Sequence, residues 1–349
     1  MFIHNLLVSC FHFLEKGTSG RVMASTVFTA FLILPFSVKA QTQDSIVKKV
    51  TRSAAETFAE RMPFSIDFKQ YGNYNFTSSL RGQDLPAGTV TNWSQFTASA
   101  NINLIQRRRW LLQGNAFYRV INEESNFSGS VAGVPQRSKN EYQYFTEGLN
   151  ISYFSRLFGK TVIYSAGVNV DGSERSFERI RGLFFGSLVL KADDKTRMNV
   201  GLLASTDPSS MLPGVPIPTF LYQHKFNNGL EADLFLPQYL YVRKQMFGNG
   251  RLSAGWELDP NTTFFLYNAG QDRKTYQYRQ IDLNMGLAYE HILPGHIVLG
   301  LRAGYRMNPY SRAFEKDRSF SDYAWKASND PAPYVNLGLS FNPFAKRKK

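Results

Sequence analysis

Apolar and polar residues alternate strictly in the stretch HIVLGLRAGYRMN, residues 296–308. Successive side chains of a β-strand point to opposite faces, so this stretch has one apolar face and one face that carries Arg302 and Arg306. The same period of two recurs after Phe64 in SQFTASANINLI (94–105), RLSAGWEL (251–258) and IDLNMGLAYE (281–290). The repetition predicts an all-β protein built from many strands.

Short turns and longer polar links separate these strands in alternation. The short turns are predicted at 106–108, 157–160, 192–195, 226–229, 247–250 and 292–295. The longer links are predicted at 77–92, 122–140, 205–217 and 309–332. Short turns at one end and long loops at the other are typical of transmembrane β-barrels. Counting up and down between the connections gives about 14 strands, with 12 as the alternative count.

Hydropathy excludes spanning helices. The mean hydropathy is -0.29, and no apolar run of about 18 residues follows the first forty positions. Aromatic residues make up 15% of the chain, with 29 Phe and 18 Tyr, which favours strands. Any insertion into a membrane must therefore use strands.

Two architectures produce the alternation, a soluble sandwich and a membrane barrel. A barrel turns its apolar faces to lipid, where an arginine near the midplane would cost about 2–4 kcal/mol. Placing the charged faces inward avoids that cost, so we expect a transmembrane antiparallel up-and-down barrel with short periplasmic turns and long external loops. The residues expected to line its lumen are Arg109, Arg119, Arg251, Glu257, Asp282, Glu290, Arg302 and Arg306.

The first forty residues are predicted to be a signal peptide, with Met23 as an alternative start. Arg21 precedes the apolar run VFTAFLILPFSV (27–38), and VKA before Gln41 resembles a cleavage site. Residues 41–63 are predicted as a periplasmic segment, either a short amphipathic helix or a mobile leader, with a luminal plug less favoured. The barrel is assigned to 64–344 and a basic tail to 345–349. Export predicts the bacterial outer membrane as the location.

Cysteine content and charge limit the chemistry. Cys10 is the only cysteine and lies in the predicted signal peptide, so the mature chain would have no disulfide or thiolate. Residues 1–40 hold three basic residues and one acid, so the mature net charge is +13 minus 2, or +11. This charge permits contact with anionic lipid headgroups or acidic glycans, and plain solubility is the alternative explanation.

No catalytic constellation is recognisable. The mature chain has three scattered histidines, and the position two after His224 is Phe226 rather than a serine nucleophile. We therefore expect no catalytic residue, no cofactor, no metal and no enzyme activity. The charged stretch 171–182 is interpreted as a solvated external loop, with lipopolysaccharide contact as the alternative. Expected partners are outer-membrane lipid, lipopolysaccharide and the barrel-assembly machinery, with small solutes and without nucleic acid.

The chain resembles the uncharacterised outer-membrane β-barrel proteins of Bacteroidota. The features that carry the resemblance are the leader ending in KAQ, YSAGVNVDGS (164–173), LPGVPIP (212–218) and VNLGLSFNPF (335–344). The resemblance covers roughly 64–344 and implies an outer-membrane barrel without an assigned function. Members of such families end on an aromatic residue that the assembly machinery reads, whereas AKRKK follows Phe344 here.

The function predicted from these observations is a porin-like channel or transport barrel for small polar solutes. The alternative is a closed structural or surface-interaction barrel that uses its long external loops, and an outer-membrane lipid-modifying enzyme is a distant third. The lumen charges fit either of the first two. They would filter solutes in an open pore, or they would pair across neighbouring strands and fill the interior.

Overall fold

The computed structural model describes residues 62–129, 136–173, 176–210, 214–267 and 274–344, and positions 260 and 261 by backbone alone. The predicted signal peptide, nearly all of the 41–63 segment and the 345–349 tail lie outside these ranges. The strands are β1 (Phe64–Tyr71), β2 (Tyr74–Leu80), β3 (Gln83–Gln106), β4 (Trp110–Phe127), β5 (Arg137–Leu157), β6 (Lys160–Gly172), β7 (Phe177–Ala192), β8 (Thr196–Ser205), β9 (Ile217–Lys225), β10 (Leu230–Leu236), β11 (Tyr239–Met246), β12 (Gly250–Tyr267), β13 (Thr275–Leu293), β14 (Ile297–Glu315) and β15 (Trp325–Phe341). No helix in these ranges is long and apolar enough to cross a bilayer.

The strands form one closed antiparallel sheet. From β3 to β15, each strand pairs with the next one in sequence, and β15 closes the sheet by pairing with both β1 and β2. β1 and β2 both pair with β3 as well, so they occupy one position that is interrupted at residues 72–73. The barrel therefore has 14 strand positions, and the predicted fold class is confirmed.

One end of the barrel carries the short turns. The connections 107–109, 158–159, 193–195, 226–229, 247–249 and 294–296 all lie at this end, as predicted. The first and last strands also meet there, because Phe64 pairs with Phe341. We call this the turn end and the opposite one the loop end.

Two predicted links at the loop end are strand instead. The stretch 77–92 is a hairpin that turns at Arg81 and Gly82 between β2 and β3, and most of 309–332 belongs to β14 and β15 around a loop at 316–324. In the link predicted at 122–140, β4 extends to Phe127 and β5 begins at Arg137, and in the one predicted at 205–217 the described residues 206–210 and 214–216 lie outside the strands. Inward and outward side chains continue to alternate through these stretches. Most of the side chains are polar, however, so the sequence resembles that of a loop.

On the turn-end side, the wall has an apolar outer face and a polar inner face. Leu287 and Leu337 are 58% and 56% exposed, whereas Asp282, Asn284 and Arg306 on the opposite face are buried. The same division holds for outward Phe68, Leu149, Ile151, Val168, Leu202, Val242, Leu299, Leu301 and Val335. An apolar surface of this extent is not stable in water, and lipid is the solvent that it fits.

A level of irregular backbone crosses neighbouring strands of the wall towards the loop end. The β1–β2 interruption and register shifts at 90/92, 259/262, 281/283, 306/308 and 308/311 mark it. Each β-bulge bends its strand and changes which face a side chain meets. We call the part of the wall beyond this level the cap, comprising residues 74–80, 83–93, 121–127, 137–142, 262–267, 275–281, 308–315 and 325–334.

The cap has the opposite polarity from the rest of the wall. Tyr74, Phe76 and Ile121 are buried inside it, whereas Asn75 and Thr77 are exposed outside. An apolar interior and a polar exterior are what a β-structure in water requires. The strands thus extend from a section suited to lipid into a section suited to water.

Wall height is uneven around the barrel. β3 has 24 residues and β13 and β14 have 19 each, whereas β10 and β11 have 7 and 8. Above the low side, β12 contacts β5, which is not its neighbour in the sheet. The tall β12–β13 hairpin therefore bends across the barrel and narrows its mouth.

Candidate functional site

Six of the eight predicted lumen residues form three ion pairs on the inner faces of β12, β13 and β14. Arg251 and Glu290 lie opposite each other in the β12–β13 ladder, and their side chains are 2.5 Å apart. The other two pairs are Glu257 with Arg302 and Asp282 with Arg306. The sheet therefore pairs charges that are up to 45 positions apart in the sequence, as in Glu257 with Arg302.

The pair between Glu257 and Arg302 crosses the intervening strand β13. An Arg302 NH1 donates to a Glu257 Oε2 at 2.6 Å, and the Tyr241 hydroxyl donates to the same oxygen at 2.9 Å. The two side chains are 24% and 21% exposed. Of the three pairs, this one is therefore the most open to solvent.

The pair between Asp282 and Arg306 is completely buried at the level below the cap. The closest approach is 3.7 Å, and Gln280 and Asn308 donate hydrogen bonds to the Asp282 carboxylate at 2.6 and 2.9 Å. The Arg306 guanidinium lies 4.7 and 4.3 Å from the ring centroids of Tyr71 and Tyr74, within cation–π range. None of its three nitrogens has a hydrogen-bond partner among the described residues.

Arg119 makes a contact across the lumen. It projects from β4 and reaches β12, where NH1 donates to Thr262 at 3.1 Å and NH2 to Asp259 at 3.3 Å. Lys69 from β1 approaches the same Asp259 carboxylate at 3.9 Å. Asp259 thus joins β1, β4 and β12 through ion pairs below the cap, although these strands are not neighbours in the sheet.

Arg109 differs from the prediction. It lies in the turn between β3 and β4 and is exposed at the turn end, so it does not line the lumen. Period-two counting extended the strand one residue into the turn. That single step moved the side chain from solvent to the inner face.

A second polar cluster lies between β7, β13 and the 206–216 loop. Arg179 on β7 donates to Asp171 at 2.6 Å, to Asp207 at 2.8 Å and to Gln277 at 3.0 Å, and Arg279 on β13 donates to Asp207 at 3.2 Å. The loop therefore folds inward and is held on both sides. Glu178 and Arg179, interpreted from sequence as part of a solvated charge run, are buried.

Asp207 is the charge centre of this cluster. Burial raises the pKa of its carboxyl, but the Arg179 and Arg279 guanidiniums and hydrogen bonds from Ser209 outweigh burial and hold the pKa below its ordinary value. Ser209 donates both its amide and its hydroxyl to the Asp207 carboxylate. The loop is therefore anchored by an ionised side chain.

Sequence reasoning missed a further buried ion pair on the low side of the wall. Arg243 on β11 and Asp233 on β10 are 2.9 Å apart, and Gln223 on β9 donates to Asp233 at 2.9 Å. Asp233 alternates with apolar residues in LEADL, residues 230–234. That alternation was the available signal, but a seven-residue strand is too short to stand out.

The histidines form hydroxyl contacts on the outer surface. The His224 Nδ1 is 2.9 Å from the Thr196 hydroxyl on the neighbouring strand, and the His291 Nδ1 is 3.1 Å from the Tyr289 hydroxyl. No carboxylate among the described residues hydrogen-bonds to either ring. Within the same ranges, no group of three or more His, Cys, Asp or Glu residues is placed to hold a metal ion.

Comparisons with known proteins identify a family and a set of barrels with similar folds. A family model described as a domain of unknown function (DUF6268) matches residues 137–342. A search of curated proteins found no match.

Three solved structures illustrate the likeness in fold. An outer membrane channel from Pseudomonas putida F1 is 8% identical, with 82% of this chain and 98% of that chain covered and a TM-score of 0.31. An active-site mutant of the outer membrane phospholipase A from Escherichia coli is 14% identical, with 86% and 99% covered and a TM-score of 0.32. The toluene transporter TodX from P. putida is 8% identical, with 80% and 88% covered and a TM-score of 0.29. At these values the likeness carries no argument about function.

Proposed function

The chain belongs to the DUF6268 family, a domain of unknown function, and from that premise we propose that it is an outer-membrane transport barrel for small polar solutes, closed by its cap in the described state. The observation that carries this proposal is the inner face on the turn-end side of the cap. It is lined by ion pairs, amides and hydroxyls rather than by a packed apolar core. Such a lining suits a lumen that holds water and polar solutes.

Unpartnered polar atoms on this face support the proposal. Arg306, Asn284 and Asn336 each have buried nitrogen or oxygen atoms without a hydrogen-bond partner among the described residues. An unsatisfied buried polar group costs about 1–3 kcal/mol. A barrel that was only structural would gain by replacing these side chains with apolar ones. Water or solute in the lumen would satisfy them instead.

The cap and the loop that carries Asp207 support the closed state of this proposal. Stacked aromatic rings of β5, β12 and β13 fill the cap, and Asp207 fastens the loop between β7 and β13. Transport would therefore require the cap or the loop to move. Because β12 and β13 bend over a low wall, their cap portions are the segments that we expect to move.

Conductance in a planar bilayer tests the proposal. The wild-type protein is expected to open rarely, whereas Phe264→Ala, which removes the central ring of the stack, should open in discrete steps far more often. Tyr323→Ala, at an exposed site in the 316–324 loop, is the matched control and should behave as wild type. If Phe264→Ala remains silent while a heat-modifiability gel shows an intact barrel, the transport proposal is wrong.

A surface-interaction barrel is the second candidate, and one observation favours it. The cap combines an aromatic core with a polar exterior, as an independent binding module in water would. In that case, cap-disrupting substitutions would abolish binding of an external partner without creating conductance. The same pair of variants therefore separates the two functions.

Lipid modification remains the third candidate, and the hydroxyl–imidazole contact between Thr196 and His224 is the observation that favours it. We expect the purified barrel not to release fatty acid from phospholipid vesicles. Release that is abolished by Thr196→Val would overturn that expectation. Location in the outer membrane, and contact with its lipids and assembly machinery, belong to the proposal as well.

A further inference from the structure

Two short turns expose a phenylalanine ring at their tips. Phe158, between β5 and β6, is 91% exposed, and Phe247, between β11 and β12, is 78% exposed. Their φ angles are 49° and 54°, and Gly159 and Gly248 follow with 73° and 72°. In the two-residue loop 158–159, these angles are those of a type I′ hairpin turn, and the three-residue loop 247–249 begins with the same two left-handed residues.

Phenylalanine is an unfavourable choice for this position in water. The left-handed conformation is strained for any residue with a Cβ, and Asn, Asp or Gly is preferred there. An exposed ring also leaves a large apolar surface in contact with solvent. Phe158 and Phe247 both carry these two costs. An apolar environment that covers the rings would remove the cost of exposing them to water.

The residues around these tips are strongly basic. At the turn end, the exposed basic side chains are Arg107, Arg108, Arg109, Arg156, Lys160, Lys191, Lys195, Lys225 and Lys244, and the exposed acids are Asp193 and Asp194. Nine minus two gives an exposed charge of +7 in the described residues. At the loop end, the exposed basic residues Arg81, Arg137, Lys139, Lys274, Arg318 and Lys326 nearly balance the exposed acids Asp84, Glu141, Asp317, Asp322 and Asp330. The positive charge is therefore concentrated around the exposed rings.

We propose that the turn end is a binding surface for anionic phospholipid, with Phe158 and Phe247 inserted between headgroups and acyl chains and the basic side chains on the phosphates. Aromatic rings and basic side chains are the residues that anchor proteins at this depth. The inference rests on the membrane placement in the proposed function, but it does not depend on transport. It assigns the barrel a preference for anionic over zwitterionic lipid at one end.

Charge argues against a second copy of the chain as the occupant. Two turn ends placed face to face would bring two surfaces of +7 together, and like charges at close range repel. A layer of phosphates neutralises the same surface. The rings would enter the layer without strand rearrangement, because each tip already projects from its hairpin.

Depth-resolved fluorescence of the full chain tests the insertion. In vesicles, the added indole of Phe158→Trp, measured as the difference from wild type, should be quenched by phosphatidylcholine brominated near the headgroup and protected from acrylamide. Tyr323→Trp, in an exposed loop-end segment, is the control and should show the reverse. Full acrylamide access of Phe158→Trp in vesicles would overturn the proposal, as would protection that appears in detergent only at high protein concentration, which would indicate a second copy.

Thermal stability in detergent tests the lipid preference. Added phosphatidylglycerol should raise the melting temperature of the wild type, and phosphatidylcholine should not. Phe158→Asn with Phe247→Asn should lose most of that shift while remaining folded, because Asn is preferred in this turn. An equal shift in wild type and variant would overturn the proposal. Conductance should be unchanged in the variant, so failure here is distinguishable from failure of the transport proposal.

Discussion

Tyr142 on β5 stacks on Phe264 on β12, with ring centroids 4.0 Å apart and an interplanar angle of 11°. The two strands are not neighbours in the sheet, so this contact joins opposite sides of the barrel. Phe264 also stacks on Tyr278 at 4.3 Å, which extends the column to β13. The mouth is therefore narrowed by a small number of ring contacts. The contact between β5 and β12 joins strands that are not hydrogen-bonded to each other in the sheet.

A double-mutant cycle on this pair should give a coupling free energy of about 0.5–1.5 kcal/mol, because stacked aromatic pairs contribute that much beyond burial. The measurement is the urea midpoint of the cap transition for Tyr142→Leu, Phe264→Leu and the double variant. Phe235 and Tyr239, which flank the β10–β11 hairpin at 6.1 Å, are the control pair and should couple more weakly. Additive effects for Tyr142 and Phe264 would mean that the cap is not held by this contact.

The lumen charges lead to a second prediction, on Arg302 and Glu257. In a variant that opens, Arg302→Glu should shift the reversal potential towards cation selectivity, since it replaces an accessible positive charge with a negative one. The exchange of both residues, Arg302→Glu with Glu257→Arg, should restore much of the original selectivity because the pair is re-formed. Arg109→Glu, at the exposed turn, serves as the control with a smaller shift. An unchanged reversal potential for Arg302→Glu would remove this pair from the path.

Much of the fold could be predicted from sequence, because a wall between lipid and water imposes a period of two that no other constraint interrupts. Leu299, Leu301 and Arg302 follow that rule, and so do the turns that separate their strands. The cap was not predicted, because the rule that apolar residues face outward does not hold there. Beyond the bulges, the apolar side faces inward and the polar side outward, so residues such as Asn75 and Thr77 resemble a loop.

The sequence predicted several of the charged residues that face the lumen, but it did not predict which of them form pairs. Alternation identifies Glu257 and Arg302 as inward, but their meeting across β13 depends on register and on small residues between them. The partner of Arg119 could not be foreseen either, because Asp259 comes from the opposite wall. Contacts across a lumen depend on the distance between opposite walls of the barrel. The alternation of residues along one strand carries no information about that distance.

Acid should release the 206–216 loop. The pKa of Asp207 lies below its ordinary value of 3.8 in the folded protein, so its stabilising effect is complete above that value and is lost as the pH falls through the lower, folded pKa. Amide hydrogen exchange of residues 206–210 should therefore accelerate below about pH 4 relative to the barrel strands. Asp207→Asn should exchange rapidly at all pH values, whereas Asp194→Asn at an exposed turn should match wild type. Equal protection of the loop at pH 3 and pH 7 would contradict the assignment.

The lipid-facing surface predicts a contrast between two arginine substitutions. Leu337→Arg places a charge on the apolar outer face and should cost about 2–4 kcal/mol if the site lies near the midplane. Asn101→Arg places it on the inner face, where Asn101 is exposed, and should cost far less. Unfolding in urea from lipid vesicles measures both. Similar costs at the two sites would mean that the outer face is not in contact with lipid.

Inner-face glycines allow adjacent strands of the β12–β14 wall to approach closely. Gly255, Gly286 and Gly304 lie opposite one another across the three strands. A Cβ on Gly304 would be 1.9 Å from the Met285 carbonyl oxygen, and one on Gly286 would be 2.2 Å from the Ala303 carbonyl oxygen. These neighbours are backbone atoms, so a side chain at either position must displace a strand.

Gly304→Ala should therefore lower the free energy of unfolding by about 1–3 kcal/mol, the usual cost of forcing atoms into a packed structure. It should also weaken the contact between Glu257 and Arg302, because that pair spans the same strands. Gly186→Ala is the matched control, since a Cβ there meets no atom within 4 Å, and it should change stability by less than about 0.5 kcal/mol. Urea unfolding of the two variants in the same detergent decides the point, and equal stability would show that this part of the wall can relax without loss.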